Sequence, residues 1–167
     1  MKTVHKSVLI WYSAEEMFAL VTDIASYPAF LPWCDRALIQ SVEVDGVVAE
    51  VGISISGIRQ SFVTRNVHSQ LGRLGKGGRK VQLKLIKGPF SDLNGEWCFT
   101  PVEAPPAAVD SIVPTEPTPA LRACRVDLRL NYSFTNVALS ALVGPVFDRI
   151  AGSLVDAFVK RAEQVYA

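Results

Sequence analysis

The sequence predicts an α+β fold in which an antiparallel, curved sheet of seven strands wraps around one long C-terminal helix. Apolar residues recur at helical spacing from Leu139 to Val165, about eight turns, which is typical of a long amphipathic helix. Ahead of this helix, several segments alternate apolar and polar residues, as strands with one buried face do. A sheet with one apolar face must be covered, and the terminal helix has the length to cover it.

The N-terminal segment is predicted to form a strand, then one or two short helices. Residues 3–12 (TVHKSVLIWY) are rich in β-branched and aromatic types. Ser13 and Glu16 form a capping box for a helix at 14–24. Two prolines in the following stretch leave room for one helical turn. The apolar residues of that stretch either plug the end of the core or line an opening into it; they are Tyr27, Phe30, Leu31 and Trp33.

The middle of the chain is predicted to be a series of hairpin-connected strands. Asp45-Gly46 is a tight-turn signal, and four glycines between 72 and 78 predict a basic hairpin tip. The last strand alternates almost without fault from Cys124 to Phe134. The predicted strands after the short helices are 36–45, 47–56, 59–69, 79–87, 92–100 and 122–135.

Two features interrupt this pattern. Residues 101–121 hold six of the ten prolines and no Lys or Arg, which predicts a long extended loop inserted into a single domain, 1–167. Gly144-Pro145 falls inside the terminal helix. Because proline removes a helical hydrogen bond, we expect a bend or a fresh helix start there.

Composition excludes several classes of protein. Cys34, Cys98 and Cys124 are far apart and form no C-x-x-C pair, so neither a disulfide framework nor a zinc site is expected. No stretch approaches the ~18 to 20 apolar residues of a membrane span, and the N-terminus has no apolar signal region. A cytoplasmic protein is expected, with any contact to the inner membrane peripheral.

Charge is unevenly distributed along the chain. Residues 51–91 carry eight basic and no acidic side chains, whereas the remainder has a net charge of −7. This asymmetry predicts a face that meets an anionic surface, either lipid head groups or ribosomal RNA; a merely solvated hairpin is the alternative. The candidate anionic-surface contacts are Arg73, Lys76, Arg79, Lys80 and Lys84.

Catalysis is not expected. His5 and His68 are the two histidines, and each falls in a predicted strand with no acid at triad spacing and no second ligand at metal spacing. We interpret both as surface or edge histidines. No Gly-rich phosphate loop is present either. The sequence therefore predicts a protein that is not an enzyme and needs no metal or cofactor.

Several motifs, in order along nearly the whole chain, resemble the coenzyme Q-binding protein family, which includes the bacterial ribosome association toxins. This family belongs to the START-like (polyketide cyclase and lipid transport) superfamily, which has the helix-grip fold. The proline-rich 101–121 loop is longer than the resemblance leads us to expect. The motifs are Tyr27-Pro28-x-Phe30-Leu31-Pro32-Trp33-Cys34, Thr64-Arg65-Asn66, Gly88-Pro89-Phe90-x-x-Leu93-x-Gly95-x-Trp97, Phe134-Thr135-Asn136 and Phe158-x-x-Arg161-Ala162-x-x-Val165-Tyr166.

The resemblance implies two roles of different kinds. One is non-enzymatic binding of ubiquinone, or a similar lipid, in a cavity between sheet and helix, in support of respiratory electron transport. We expect this role; the alternative is a ribosome association toxin that binds the large ribosomal subunit and blocks subunit joining. A scaffold, or a subunit partnered by an antitoxin, is a third hypothesis that the sequence does not exclude.

A lipid cavity needs apolar walls and a few polar anchors. Arg65, if it points inward, would be a buried cation able to hydrogen-bond a quinone oxygen; an outward salt bridge is the alternative. For each apolar candidate, plain core packing is the alternative. The candidate ligand contacts are Tyr27, Phe30, Leu31, Trp33, Phe62, Arg65, Phe90, Trp97, Leu128, Phe147, Ile150 and Leu154.

Overall fold

In the computed structural model, which describes residues 1–55, 57–72, 77–102 and 123–166, one antiparallel sheet of seven strands encloses a 30-residue helix. The elements are β1 (Lys2–Ile10), α1 (Ala14–Thr22), a 3-10 helix (Ile24–Ala29), β2 (Cys34–Glu43), β3 (Gly46–Ile55), β4 (Ile58–Leu71), β5 (Gly78–Lys87), β6 (Phe90–Pro101), β7 (Cys124–Phe134) and α2 (Val137–Tyr166). The strand order is β1-β7-β6-β5-β4-β3-β2. The predicted fold class is confirmed.

The first short helix forms where the sequence places it, and the second does not. The Ser13 hydroxyl accepts a hydrogen bond from the Glu16 amide at 3.1 Å, and the Glu16 carboxylate accepts one from the Ser13 amide at 3.0 Å. This capping box satisfies two amide donors at the start of α1. The 3-10 helix Ile24–Ala29 begins before both prolines and contains Pro28, so the predicted position of a single turn between the two prolines is wrong.

The terminal helix runs through its proline without a break. Pro145 lies inside α2, so the expected fresh helix start is wrong. Pro145 and Ala141 are both exposed, and water can therefore solvate the Ala141 carbonyl that the proline leaves without a donor. The helix can then continue at a modest cost in free energy.

The helix α2 supplies the cover that the sheet needs. Its length and composition, with a mean hydropathy of 1.4 over an 18-residue window, would also suit a membrane span, so the expectation that no stretch approaches one is wrong for this helix. In the described structure its apolar stripe instead packs into the domain. The buried residues of the stripe include Val143, Phe147, Ile150, Ala151, Val155, Phe158 and Ala162.

The sheet has two distinct faces. The concave face holds the main core with α2, and fully buried side chains such as Phe99, Leu128 and Tyr132 lie on it. The convex face carries the alternate residues of each strand, which are mostly polar or charged. Most of the predicted proline-rich loop, residues 103–122, lies outside the described residues.

Candidate functional site

An internal cavity of about 90 Å³ lies between the concave face and α2. Its walls come from α1, the 3-10 helix, β3 to β7 and α2, and they are mainly apolar. Seven of the predicted ligand contacts line it: Tyr27, Trp33, Phe62, Trp97, Phe147, Ile150 and Leu154. The sequence therefore locates the cavity, but the volume is well below the ~300 to 1,000 Å³ of typical small-molecule pockets.

Three predicted contacts are core residues outside the cavity wall. Leu31 and Leu128 are completely buried. Phe90 is 4% exposed, and its ring lies 5.0 Å from the Phe134 ring and 4.9 Å from the Phe147 ring. Phe90, a predicted ligand contact, is therefore enclosed by aromatic neighbours and does not line the cavity.

Arg65 does not point into the cavity. Its guanidinium lies on the convex face, with a side chain 48% exposed, 2.9 Å from the Glu43 carboxylate and 3.5 Å from that of Asp45. The prediction of a buried cation for a ligand oxygen is wrong, and the outward salt bridge is the correct alternative. The physical reason is strand alternation, because Phe62 faces the cavity and Arg65 is three residues further on.

Aromatic packing fills the region for which the sequence leaves a plug and an opening as alternatives. The rings of Tyr27 and Phe30 lie 5.4 Å and 5.3 Å from the Phe158 ring, which also contacts Trp97 at 5.4 Å. Phe30 is part of this packing and not of the cavity wall, and the Arg161 guanidinium lies 5.0 Å over its ring. Of the two interpretations of this stretch, the plug describes Phe30 and Leu31, whereas Tyr27 and Trp33 reach the cavity.

The hydroxyl of Tyr27 makes a hydrogen bond within the fold. It donates a hydrogen bond to the Val21 carbonyl at the end of α1. Burial is the main cause that raises the pKa of Tyr27 well above its usual value, and the nearby Cys34 and Asp23 add to it. Tyr27 therefore fixes the position of the 3-10 helix and presents only its ring to the cavity.

Sequence reasoning missed the polar residues of the cavity wall. They are Thr22 of α1 and a row of three on β4, Thr64, Asn66 and His68, here called the polar row. The Thr64 hydroxyl donates a hydrogen bond of 2.7 Å to Asn66 Oδ1, and both residues are buried. All three lie on β4 at even positions, like Phe62. Side chains alternate along a strand, so the even positions of β4 face the same way as Phe62. This alternation could have identified the three residues and excluded Arg65, which is at an odd position.

His68 is the member of the polar row with an unused atom. Its Nε2 is buried and has no hydrogen-bond partner among the described residues. Burial, and then the positive charge of Arg79, lower the pKa of His68, while Asp45 opposes them. The ring is therefore neutral near pH 7 and packs edge-on against Phe18, with a ring distance of 5.5 Å. The interpretation of His68 as a surface or edge residue is wrong.

The basic segment of the sequence is largely neutralised in space. Arg79, for example, lies 2.7 Å from the Glu15 carboxylate of α1. Lys80 lies 3.0 Å from Glu96 of the neighbouring strand. Arg59 and Arg65 pair with acids of β2 or of the turn after it. Two predicted anionic-surface contacts, Arg73 and Lys76, lie outside the described residues.

Several bases of the convex face, among them Lys84 and Arg129, have no ion-pair partner in the described part of the chain. These two are exposed and line a surface groove of about 580 Å³. Gln82, Asn94 and Asn131 also line this groove, here called the convex groove, together with the carboxylates of Asp92 and Glu96. Asn131 donates a hydrogen bond of 3.1 Å to Asn94, so side-chain amides lie close to the two cations.

The thiols of the chain are structural. Burial raises the pKa of Cys124 to about 11 and is the largest cause that raises the pKa values of Cys34 and Cys98. A thiol held protonated is a poor nucleophile and a poor metal ligand. Within the described ranges, no group of three His, Cys, Asp or Glu side chains could hold a metal ion.

Comparisons with known proteins agree on one family. The profile of the polyketide cyclase / dehydrase and lipid transport family matches residues 10–159. The ribosome association toxin RatA of Vibrio cholerae serotype O1 is 34% identical over 166 residues, 99% of this chain and 99% of the relative. The mitochondrial coenzyme Q-binding protein COQ10 homolog B of Xenopus laevis is 23% identical over 163 residues, 96% of this chain and 58% of the relative.

Solved structures show the same fold at lower identity. A START superfamily protein from Mycobacterium smegmatis superimposes with a TM-score of 0.69 at 16% identity, covering 98% of each chain. At this identity the likeness concerns the fold alone.

Proposed function

Since the chain belongs to the polyketide cyclase / dehydrase and lipid transport family, in the branch of the coenzyme Q-binding proteins and ribosome association toxins, we propose that it associates with the ribosome and opposes subunit joining. The observation that carries this proposal is the 34% identity, over 99% of both chains, to a protein named as a ribosome association toxin. The activity is one of binding in the cytoplasm, without a catalysed reaction.

The convex groove supports the proposal as a contact for ribosomal RNA. Lys84 and Arg129 provide two exposed positive charges, and neither is engaged by an acid among the described residues. Backbone phosphates are bound mainly by such cations, with help from side-chain amides. Asn94 and Asn131 place amides in the same groove. Contacts of this kind give affinity that falls as salt rises.

Association can be tested with purified ribosomal subunits. Small and large subunits are mixed with the protein at magnesium concentrations that permit joining, and the products are separated on a sucrose gradient. We expect the joined peak to fall as the protein concentration rises, with the protein sedimenting beside the large subunit. An unchanged joined peak at saturating protein would contradict the proposal.

The contact surface is tested by reversing the two charges of the convex groove, Lys84→Glu with Arg129→Glu. If each cation meets one phosphate, the slope of log affinity against log salt should decrease by about 2. The matched control is Arg149→Glu with Lys160→Glu, which makes the same charge changes at exposed positions of α2. Equal losses in the two double variants would indicate a non-specific charge effect and remove the convex groove as the contact.

A second candidate function is the binding of a hydrophobic ligand in the cavity, with ubiquinone as the first molecule to test. Its support is the apolar cavity between sheet and helix, together with similarity to a protein named as coenzyme Q-binding. The cavity volume of about 90 Å³ requires the walls to move apart before a whole quinone head group can enter. Such a ligand would connect the protein to respiration and to a peripheral membrane contact.

Mass spectrometry separates this candidate from the first. The protein is purified without detergent from cells of its own kind, and the organic extract is analysed. A near-stoichiometric quinone is the expected result if the candidate is correct. An empty extract, together with failure to take up added ubiquinone, would contradict it and leave the ribosome proposal standing.

A further inference from the structure

The two edge strands of the sheet differ in how well they are protected against pairing with another strand. The edge strand β1 carries three exposed basic side chains, Lys2, His5 and Lys6, and charged side chains on an edge discourage pairing. The other edge strand, β2, has an uncharged run at residues 37–42. Among the described residues, no strand pairs with the outer side of β2. An open edge of this kind is a template for a further strand.

The second half of β2 is exposed on both of its faces. Residues 38–42 are all exposed, and this group includes three large apolar side chains. Leu38 and Ile39 are each 43% exposed, and Val42 is 79% exposed. A strand with one covered face has alternating exposure, so consecutive exposure means that neither face is covered by the described structure. A strand that paired here would gain apolar contacts as well as backbone hydrogen bonds.

A bulge in β2 places two opposite charges on the same face of the sheet. The register of β2 against β3 shifts after Ile39, which leaves one extra residue in β2. Arg36 and Glu43 are seven positions apart and would point to opposite faces of a regular strand. Their partners on β3 are Gly52 and Gly46, which are an even number of residues apart, so both charges lie on the convex face.

We propose that β2 is a self-association edge, at which two copies of this chain pair antiparallel about a two-fold axis at the bulge. In this register Arg36 lies opposite Glu43 of the second copy on the convex face. Ala37 lies opposite Val42 of the second copy on the concave face. A shift by two residues would place Glu43 opposite the apolar Leu38, so charge selects the symmetric register. This inference goes beyond the proposed function and does not depend on it.

The charges around this edge are complementary between two copies. Arg36 lies 3.4 Å from Glu50 of its own chain, and Arg65 lies 2.9 Å from Glu43. Pairing of two β2 strands would join these ion pairs into a row of alternating sign, and the two-fold axis would repeat the row. Such complementarity selects the partner and its orientation. One strand pair buries less than the ~1,200 Å² of a standard interface, so we expect a weak dimer.

Sedimentation equilibrium of the full chain tests the edge. Over about 10 μM to about 1 mM, the range in which a weak interface dissociates, we expect a reversible monomer–dimer equilibrium. Ile39→Lys places a charge in the middle of the edge and should weaken the dimer by at least about tenfold. The matched control is Leu9→Lys on β1, at a side chain 58% exposed, which should dimerise like the natural chain. A natural chain that stays monomeric, or equal dimerisation of the two variants, would overturn the proposal.

The register is tested by mixing two charge variants. Arg36→Glu alone sets carboxylates against each other, and Glu43→Arg alone sets guanidinium groups against each other. Because symmetry introduces each change twice, each variant alone should dimerise at least about tenfold more weakly than the natural chain. An equal mixture restores both contacts between opposite charges, so it should form a heterodimer with nearly the natural affinity. A mixture no more associated than the separate variants would overturn the proposal.

Hydrogen exchange in the natural chain keeps the proposal falsifiable if a variant does not fold. Amide exchange in residues 38–42 should slow as the protein concentration rises, whereas exchange in residues 3–9 of β1 should not change. Exchange in 38–42 that is independent of concentration would overturn self-association, even if this edge then captured an extended peptide. Ribosome sedimentation is carried out with dilute, monomeric protein, so failure of that assay and failure of the dimer are distinguishable.

Discussion

The two faces of the sheet use charge and apolarity in opposite ways. The concave face packs aromatic and aliphatic side chains against α2 and contains one small cavity. The convex face carries ion pairs such as Arg65 with Glu43 and Lys80 with Glu96. The second candidate function therefore concerns the concave face, whereas the ribosome contact that we propose lies on the convex face.

The difference also shows how a charge run in sequence becomes a nearly neutral surface. The basic strands β4 and β5 lie between β3 and β6, with β2 beyond β3. Glu43 of β2 and Glu96 of β6 reach basic side chains of this segment, and Glu15 of α1 does the same. The segment 51–91 thus brings few free positive charges to the surface, and the contact we propose depends on Lys84 and Arg129.

The largest effect on stability is expected on the concave face. Phe158→Ala removes a ring that is 1% exposed and packs against Tyr27, Phe30 and Trp97. We expect a loss of about 3 to 5 kcal/mol in the free energy of unfolding, measured by urea denaturation. A loss below about 1 kcal/mol would mean that this aromatic cluster contributes little to the stability of the core.

Replacing leucine by the larger tryptophan should affect stability differently in the core and in the cavity wall. Leu128 is fully buried outside the cavity wall, so Leu128→Trp overpacks the core and should cost at least about 1 to 3 kcal/mol. Leu154 lines the cavity and is half-buried, so Leu154→Trp has space to enter and should cost clearly less. Urea denaturation of the two variants provides the check. Equal losses in the free energy of unfolding of the two variants would contradict the position of the cavity.

An intermediate effect is expected where β1 and β7 meet the first turns of α2. Asp148 accepts hydrogen bonds from Lys2 and from the buried Tyr132 hydroxyl. Burial alone would raise the pKa of Asp148, but the hydrogen bonds from Lys2 and Tyr132 and the charge of Lys2 lower it below its usual value. We expect Asp148→Asn to cost about 1 kcal/mol at pH 7.

The pH dependence of this effect has a definite sign. A carboxylate whose pKa is lower in the folded state stabilises the fold above its unfolded pKa, and this contribution is lost as the pH falls through the folded value. The difference between the natural protein and Asp148→Asn should therefore shrink below about pH 4. Urea denaturation at pH 7 and pH 3 measures it, and a difference that grew in acid would contradict the assignment.

A smaller effect on the free energy of unfolding, this time a gain, is expected for a substitution in the polar row. His68→Phe replaces a ring with an unpaired buried nitrogen by an apolar ring of similar size. The free energy of unfolding should rise by up to about 1 kcal/mol at pH 7. A loss of stability would indicate that His68 makes a stabilising hydrogen bond, for instance to a bound water, in the natural protein.

The smallest effect on stability is expected on the convex face. Lys84→Glu and Arg129→Glu change exposed side chains without ion pairs in the described structure, so each should alter the free energy of unfolding by no more than about 0.5 kcal/mol. Thermal and urea denaturation check this. A larger loss would mean that the convex groove serves the fold, and its use as a functional contact would then be harder to isolate.

Much of the fold was predictable from the sequence because its signals are local. The capping box at Ser13 and Glu16, the turn at Asp45-Gly46 and the alternation of β7 each define an element without reference to the rest of the chain. The apolar stripe of α2 then identifies this helix as the element that covers the sheet. Pro145 was harder, because its effect depends on whether the carbonyl it leaves unpaired is exposed to water.

The candidate site was predicted less completely because it depends on distant neighbours. Five of the wall residues were predicted from inward-facing positions, and Tyr27 and Trp33 from the apolar cluster between two prolines. Phe90 and Leu128 are instead enclosed by packing that only the folded structure shows. The predicted orientations of Arg65 and His68 were wrong, although the alternation of side chains along β4 from Phe62 could have corrected both. The partners of the basic residues could not be predicted, since Glu15, Glu43 and Glu96 reach them through the strand order.

The most direct test of the division between the faces is co-sedimentation with large ribosomal subunits at physiological salt. It compares three folded proteins: the natural chain, the convex variant Lys84→Glu with Arg129→Glu, and the cavity variant Leu154→Trp. We predict that the convex variant loses at least about tenfold in affinity, while the cavity variant sediments like the natural protein. Normal sedimentation of the convex variant with loss in the cavity variant would contradict the account, because the ribosome contact would then depend on the concave side.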